Sequence, residues 1–235
     1  MSEPGTARWR QAEASRLLTF GQAAALPDGG FGWLDVNGSI DRTQPRPLYI
    51  NARMTYVFAL AHLAETSGLH ARPASGPGTL AASGLDALAS RYADGEHGGW
   101  FASLDPAGNV LDTGKANYAH AHVLLAASSA LAAGIPGADA ALEAAAATIG
   151  RHFWSDAEGL ARESWNADFT ESEPYRGANS NMHSVEAYLA AGDVTGDPVW
   201  HARAASKVSR SRAHSKEWPG VVPYGRNGSL RRSSL

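Results

Sequence analysis

The stretch GGWFASLDPAG at residues 98–108 has a near copy in GGFGWLDVNG at residues 29–38. Both copies contain a glycine pair, an aromatic residue, a Leu-Asp pair and a turn that ends in glycine. The residues from Asp105 to Gly108 match a type I turn, with Asp first, Pro second and Gly fourth, so each copy predicts a short β-hairpin. A weaker third copy lies at residues 154–159, followed by Trp165.

The segments around these hairpins are rich in Ala and Leu, with apolar residues at helical spacing. Asp197-Pro198 is typical of an N-cap followed by proline at the first helical position, and Ala191-Gly192 indicates the end of the preceding helix. The first two hairpins are roughly 70 residues apart, which indicates a repeating unit of helix, helix and hairpin. The predicted helices lie at residues 6–24, 48–65, 79–92, 115–133, 138–153 and 179–191, and from about residue 197 onward.

Repeated helix pairs bury their apolar faces against neighbouring pairs, either in an open stack or in a closed ring of inner and outer helices. Loops rich in glycine and tryptophan recur here at one end, which favours the ring, because such loops suit the mouth of a cavity that binds flat sugar rings. We therefore expect an all-α fold with short β-hairpin loops at one end.

Composition and charge exclude several classes of function. The chain has 235 residues, 44% of them apolar, which suffices for one large domain or two small ones. It has no cysteine, so disulfides, thiolate metal sites and thiol nucleophiles are excluded. Residues 1–205 carry 13 basic and 22 acidic side chains, an unfavourable balance for binding nucleic acid. Without a signal peptide or an apolar run of membrane-spanning length, we expect a cytoplasmic protein with no membrane partner.

The run at residues 175–186 carries the densest polar chemistry. Asn179, His183 and Glu186 are related by steps of four and three, so on a helix they share one face and could reach into a cavity. A neighbouring apolar stripe is expected to pack against the protein, and it consists of Met182, Val185 and Leu189.

Four ordered motifs carry a resemblance to a known family. They are Arg53-Met54-Thr55-Tyr56, His97-Gly98-Gly99-Trp100, Lys115-Ala116-Asn117-Tyr118-Ala119-His120 and Asn179-Ser180-Asn181-Met182-His183. With them the chain resembles the N-acylglucosamine 2-epimerase superfamily, and within it the branch of mannose isomerase and sulfoquinovose isomerase. The resemblance implies an (α/α)6 barrel, a six-hairpin toroid of twelve helices. It also implies metal-free aldose–ketose isomerisation or epimerisation of a small-molecule sugar, without a cofactor.

The resemblance also assigns roles to single residues. His183 is the expected catalytic acid/base, because moving a carbonyl between C1 and C2 through a cis-enediol needs a group that titrates near neutral pH. Arg53 is expected to bind sugar hydroxyls and the developing oxyanion. The resemblance also implies that Tyr118 and Asn179 bind substrate. From their own positions in the sequence, His120, Trp100 and Glu186 are further expected substrate-binding residues.

The chain departs from the family pattern in its second half. Two further histidines, the proton-transferring pair proposed for the family, have no counterpart here. We therefore expect residues 1–205 to be the N-terminal part of an incomplete barrel with a large exposed apolar edge. Residues 206–235, which are basic and rich in Ser and Arg, lack a family pattern and are expected to be disordered or the product of a frameshift. The oligomeric state stays open.

Alternative functions remain at this point. The chain could be a C2-epimerase of the same superfamily, or an inactive remnant that binds sugar weakly. Another (α/α)6 enzyme, such as a glycoside hydrolase, would need a pair of carboxylates across the sugar, for which Glu163, Asp168 and Glu186 are available.

Individual residues also have structural interpretations. His183 could bond a backbone carbonyl, Arg53 could form a salt bridge with Asp35, and the tryptophans Trp33 and Trp100 could pack hairpins rather than bind sugar. His120 and His122 cannot chelate one metal ion, because residues two apart on a helix point about 200° away from each other. We expect one of these two histidines to face inward, and His122 to be the outward one.

Overall fold

Seven α-helices form the body of the protein in a computed structural model, which describes residues 3–67 and 76–214. The helices are α1 (Ala7–Gln22), α2 (Leu48–Thr66), α3 (Pro77–Ala87), α4 (Asn117–Ala132), α5 (Ala138–Thr148), α6 (Ala178–Thr195) and α7 (Pro198–His214). Two of them, α3 and α5, continue into a π-helical turn, at Leu88–Tyr92 and Ile149–Phe153 respectively. The helical segments predicted from periodicity are confirmed.

Two helix ends near the C-terminal side differ from expectation. Helix α6 does not end at Gly192 but runs to Thr195 and is capped by Gly196, whose φ of 72° is left-handed. A Cβ on Gly192 would lie 2.7 Å from the ring of His201, so this glycine allows α7 to approach α6 closely and does not terminate the helix. Helix α7 continues past the expected boundary at residue 205, and residues 215–235 of the expected tail lie outside the described residues.

The helices form two layers of a partial ring. Helices α2, α4 and α6 are the inner layer, with α4 packed between the other two, and α3, α5 and α7 cover them on the outside. All but three of the 16 residues of α4 are buried, because neighbouring helices surround it. The apolar core lies between the layers and includes Phe58, Leu88, Leu124, Ile149 and Tyr188. Within the described part of the chain, no helix is long and apolar enough to cross a membrane.

Short antiparallel strands join the helices at one end, and they confirm the predicted hairpins. Strands β1 (Arg46–Pro47), β2 (Ser103–Leu104) and β3 (Val110–Asp112) form one sheet in that order. Strand β4 (Lys115–Ala116) pairs with β7 (Ser164–Trp165), and β5 (Trp154–Ser155) pairs with β6 (Leu160–Ala161). In the turn between β2 and β3, the Gly108 N–H donates to the Asp105 carbonyl at 3.0 Å, as a type I turn requires. The first copy closes through a bridge between Leu34 and Ile40.

Strands β1 and β4 directly precede α2 and α4, and β7 precedes the start of α6. The hairpin end of the ring is therefore the end at which the inner helices begin. Polar residues in the first turns of those helices are brought to the same end.

The two free edges of the partial ring expose apolar surface, as expected for an incomplete barrel. At one edge, α1 and α2 line an open groove of about 480 Å³ that includes Val57 and Leu60. At the other, Met182 and Leu189 of α6 are 58% and 44% exposed. The prediction that these two residues pack against the protein is wrong, because the packed face of α6 is the one formed by Ser180, Asn181, Ser184, Ala187, Tyr188 and Ala191.

Candidate functional site

Side chains from all three inner helices meet near the helix N-termini. Arg53 of α2 donates from Nη1 to the hydroxyl of Tyr118 of α4 at 3.2 Å. The ring of Tyr118 meets the imidazole of His183 of α6 edge to face, with ring centres 5.2 Å apart. Three of the predicted site residues therefore lie together. We call these three residues, together with their neighbours Glu186 and His122, the inner-helix cluster.

Glu186 is the first neighbour, one turn after His183 on α6. Its Oε2 lies 3.3 Å from His183 Nδ1, which replaces the alternative of a bond from His183 to a backbone carbonyl. The His183 side chain is 21% exposed and that of Glu186 is 47% exposed, so a ligand could reach both. Burial, and next the charge of Glu186, raises the pKa of the Tyr56 hydroxyl on α2. The carboxylate can orient the imidazole.

His122 is the second neighbour, and its role was not predicted. Its ring centre is 4.6 Å from that of Tyr118 and 4.7 Å from that of His183. The expectation that His122 faces outward is wrong, because α4 is enclosed by other helices and the side chain is buried. Burial lowers the pKa of His122, the hydrogen bond to the Tyr118 carbonyl partly offsets this, and the charges of His183 and Arg53 lower the pKa further.

The start of α6 is held by a carboxylate from the preceding hairpin. Glu163 accepts the Gly177 N–H at 2.8 Å and the hydroxyl of Ser180, and so serves backbone and side-chain donors of the first turn. Asn179 is exposed in this turn, one turn before His183. The capping fixes the direction in which α6 presents both residues.

The second asparagine of the Asn-x-Asn-Met-His motif is structural. Asn181 is buried, and its Oδ1 accepts the Ala161 N–H at 3.0 Å and the ammonium of Lys207 at 2.7 Å. Lys207 is itself fully buried and lies over the ring of Tyr188. This lysine, in the segment expected to be a non-family tail, therefore anchors α7 to the motif.

Trp100 and His120 are not brought to the inner-helix cluster. Trp100 is buried, and its indole N–H donates to the Leu88 carbonyl at 3.1 Å. Its backbone N–H donates to His120 Nε2 at 3.3 Å, while His120 Nδ1 is 2.8 Å from the Ala116 carbonyl. Burial lowers the pKa of His120 to about 4. These contacts attach the second hairpin to α4. The sequence contains no signal that distinguishes this structural role of Trp100 and His120 from a role in binding sugar.

The interpretation of Arg53 as a partner of Asp35 is not what the structure shows. Asp35 accepts the backbone N–H groups of Asn37 and Ser39 within its own hairpin, at 2.8 and 2.9 Å. Arg53 is exposed and contacts Tyr118 instead. Trp33 is half-buried in the same hairpin and lines a small cleft with Ile40 and Pro106, which are not members of the cluster.

The carboxylates considered for a glycoside hydrolase have other partners. Glu163 caps α6, and Asp168 accepts from the backbone and hydroxyl of Thr170 in its own turn. Only Glu186 of the three lies in the inner-helix cluster. Across residues 3–67 and 76–214, no three His, Asp or Glu side chains are grouped so as to hold a metal ion.

The two helical layers and the hairpin end define the class of fold as an (α/α)6 barrel, of which this chain forms a part. The solved structure of a D-mannose isomerase superposes with a TM-score of 0.79 at 28% identity, over 89% of this chain and 54% of that one. A cellobiose 2-epimerase from Spirochaeta thermophila superposes with a TM-score of 0.77 at 20% identity, over 95% of this chain and 59% of that one, which shows the shared fold.

The chain belongs to the N-acylglucosamine 2-epimerase (GlcNAc 2-epimerase) family, whose profile matches residues 29–220. It is 52% identical to a D-mannose isomerase of Thermobifida fusca over 196 residues. This match covers 83% of this chain and 46% of the relative. It is 46% identical over 211 residues to a D-mannose isomerase of Pseudomonas cannabina pv. alisalensis, over 89% of this chain and 48% of the relative. The chain thus spans about half the length of the curated relatives it matches.

Proposed function

We propose that the chain is the N-terminal half of a sugar isomerase that interconverts an aldose and a ketose, of the mannose and fructose type, through a cis-enediol. The observation that carries the proposal is the inner-helix cluster, in which a guanidinium, a phenol and an imidazole from three helices lie within contact of one another. The similarity to D-mannose isomerases supports the choice of sugar.

The proposed chemistry assigns one task to each group. In the open-chain aldose, a base removes the proton from C2, and the electrons of that C–H bond form the C1–C2 double bond. The π electrons of the C1 carbonyl move to O1, which takes up a proton to give the enediol. Return of a proton to C1, with loss of the O2 proton, gives the ketose. His183 moves protons at the sugar oxygens or carbons, with Glu186 orienting its ring. The Arg53 guanidinium, always charged, stabilises the negative oxygen, and the Tyr118 hydroxyl shares that position.

Two other outcomes of the same site are kept as alternatives. A C2-epimerase forms the same enediol and returns the proton to C2 from the opposite face, so D-mannose would give D-glucose. The second alternative is an inactive remnant. The family's proposed proton-transferring histidines have no counterpart in this chain, and the chain forms only one side of the cavity, so it could bind sugar without converting it.

The experiment is incubation of the chain with D-mannose, chromatography of the products, and calorimetric measurement of sugar binding. Fructose supports the isomerase and glucose the epimerase, whereas binding without product supports the remnant. Absence of both binding and turnover would refute the proposal.

The variant Arg53→Lys tests whether the cluster is responsible. It keeps the charge but loses the planar guanidinium that reaches Tyr118, so binding or turnover should fall at least tenfold. The matched control is Arg16→Lys, because Arg16 pairs with Glu13 on the surface of α1. Equal losses in both variants would show that the effect does not come from the cluster.

A further inference from the structure

Two histidines on α4 have the same tautomer but differ in what their second nitrogen meets. The Nδ1 atoms of His120 and His122 each lie 2.8 Å from the carbonyl of the residue four positions earlier. A carbonyl oxygen only accepts, so Nδ1 carries the proton in both rings, and Nε2 carries the lone pair when the ring is neutral.

The lone pair of His120 is used within the protein, and that of His122 is not. His120 Nε2 accepts the backbone N–H of Trp100 at 3.3 Å. For His122, no group of the described residues donates to Nε2. The residue is only 3% exposed, yet Nε2 is not among the enclosed side-chain atoms that lack a partner, so this atom keeps contact with solvent. An accessible lone pair on an otherwise buried residue, beside the site residues Tyr118 and His183, is placed to accept a hydrogen bond from a ligand that displaces water.

We infer that His122 is a sugar-binding residue, whose neutral Nε2 accepts a hydrogen bond from a hydroxyl of the open-chain sugar. The inference rests on the proposed function and adds to it a residue that contacts the substrate. A hydroxyl placed against His183 falls within reach of His122, because the two ring centres are 4.7 Å apart.

The surroundings of His122 favour an acceptor over a second cation. Burial is the largest influence against a protonated His122 ring, and the charges of His183 and Arg53 act in the same direction. The Tyr118 carbonyl and the charge of Glu186 act against them, and the net effect lowers the pKa of His122. A sugar hydroxyl both donates and accepts hydrogen bonds. His122 Nε2 can accept from such a hydroxyl, and Arg53 and Tyr118 can donate to it, so the cluster can satisfy the hydroxyl completely.

The direct test is NMR of the chain labelled with ¹⁵N in histidine, using two-bond ¹H–¹⁵N correlations that report each ring's tautomer. We expect His122 to be protonated on Nδ1 at neutral pH, and its Nε2 resonance to move on addition of D-mannose or D-fructose. The Nε2 resonance of His120 should stay in place, because Trp100 already occupies it.

The outcomes separate this inference from the proposed function. If the sugar moves the His183 resonances and leaves His122 Nε2 unchanged, or if His122 carries its proton on Nε2, the inference is overturned and the proposed function stands. If no histidine responds and calorimetry detects no binding, the proposed function fails, and the inference fails with it.

Two substitutions at one position give an independent test. In His122→Asn the amide N–H can take the place of Nδ1 and keep the bond to the Tyr118 carbonyl, while the acceptor at Nε2 is lost. In His122→Gln the amide reaches the place of Nε2 and supplies an oxygen acceptor there. We expect the Kd for D-mannose to rise roughly five- to tenfold in the Asn variant, and to recover most of that loss in the Gln variant.

The control is His152→Asn, which removes a half-buried imidazole that stacks on Phe169 outside the cluster. Its Kd for D-mannose should match that of the unmodified chain, and thermal unfolding of all the variants shows whether each is folded. Unchanged affinity in His122→Asn, or equal loss in the Asn and Gln variants, would overturn the inference.

Discussion

The substitution Asp94→Asn should destabilise the protein more than any surface change, because it removes one charge from a buried ion pair. Lys115 Nζ lies 2.7 Å from Asp94 Oδ2, and the two side chains are 0% and 4% exposed. The other carboxylate oxygen accepts the N–H groups of Glu96 and His97, each at 3.0 Å. Asparagine keeps the shape and can still accept these two bonds with its Oδ1, but its NH2 group then faces the Lys115 ammonium, so the substitution removes the charge and the acceptor of Lys115 together.

The size of the effect follows from what Lys115 can do once its partner is neutral. If the ammonium stays charged between the rings of Phe101 and Phe169, the cost is that of a buried unpaired ion, about 3–5 kcal/mol. If Lys115 gives up its proton instead, a lysine with an ordinary pKa of 10.5 costs about 5 kcal/mol at pH 7, at about 1.36 kcal/mol per pH unit. Both routes predict a loss of about 3–5 kcal/mol.

The pH dependence distinguishes the ion pair from simple packing. Loss of the Lys115 proton becomes easier as pH rises, so the deficit of Asp94→Asn should shrink between pH 7 and pH 10. In the unmodified chain, burial raises the pKa of Asp94, but the bonds from Lys115 and the two backbone N–H groups outweigh it and lower the pKa to about 2. The corresponding stability is present above about pH 4 and is lost as pH falls toward 2, a dependence that Asp94→Asn should lack.

Urea unfolding followed by circular dichroism, at pH values from about 2 to about 10, measures these differences. The double variant Asp94→Asn/Lys115→Met removes the unpaired charge and should recover most of the stability. A loss below about 1 kcal/mol at pH 7, or no recovery in the double variant, would show that the pair does not behave as a buried charge pair.

Two further predictions concern helix packing. Gly84→Ala should lower the free energy of unfolding by about 1–3 kcal/mol in urea, although alanine favours helices, because the new Cβ would lie 1.9 Å from Thr55 Oγ1. At Gly21 the nearest atom to a new Cβ is 3.5 Å away, so the same change there should be neutral or stabilising. Lys207→Met should match or exceed the stability of the unmodified chain at pH 7, because burial lowers the pKa of Lys207 to about 7. The unfolded chain then binds more protons between pH 7 and 10.5, so stability should rise with pH across that window in the unmodified chain and rise less in the variant.

The helices and hairpins were predictable because their signals are local. Periodic apolar residues, the Asp197-Pro198 helix start and the turn at Asp105–Gly108 each depend on a few neighbouring residues, and all are found in the structure. Gly192 misled the prediction of a helix end, since its purpose is to admit the ring of His201 from the next helix. Sequence alone does not reveal whether a glycine serves backbone conformation or close packing.

The site was predictable only in part, because a motif names residues but not their neighbours. Arg53, Tyr118 and His183 come together as expected, since each lies near the start of an inner helix. His122 was missed because a helix with an inward and an outward face was assumed, and α4 is surrounded. His120 carries the same side chain two positions earlier, yet it contacts the second hairpin.

The placement of the cluster at the helix N-termini has a chemical consequence of its own. Tyr118 and Asn179 lie in the first turns of α4 and α6, and Arg53 and His183 lie in the second turns of α2 and α6. Because these side chains gather at one end, the positive ends of three helix dipoles gather there too. The enediolate of the proposed reaction would carry a negative charge at one of two adjacent oxygens, and helix N-termini together with a fixed guanidinium stabilise such a charge. In the proposed reaction, the helix N-termini would thus add to the stabilisation that Arg53 gives the enediolate.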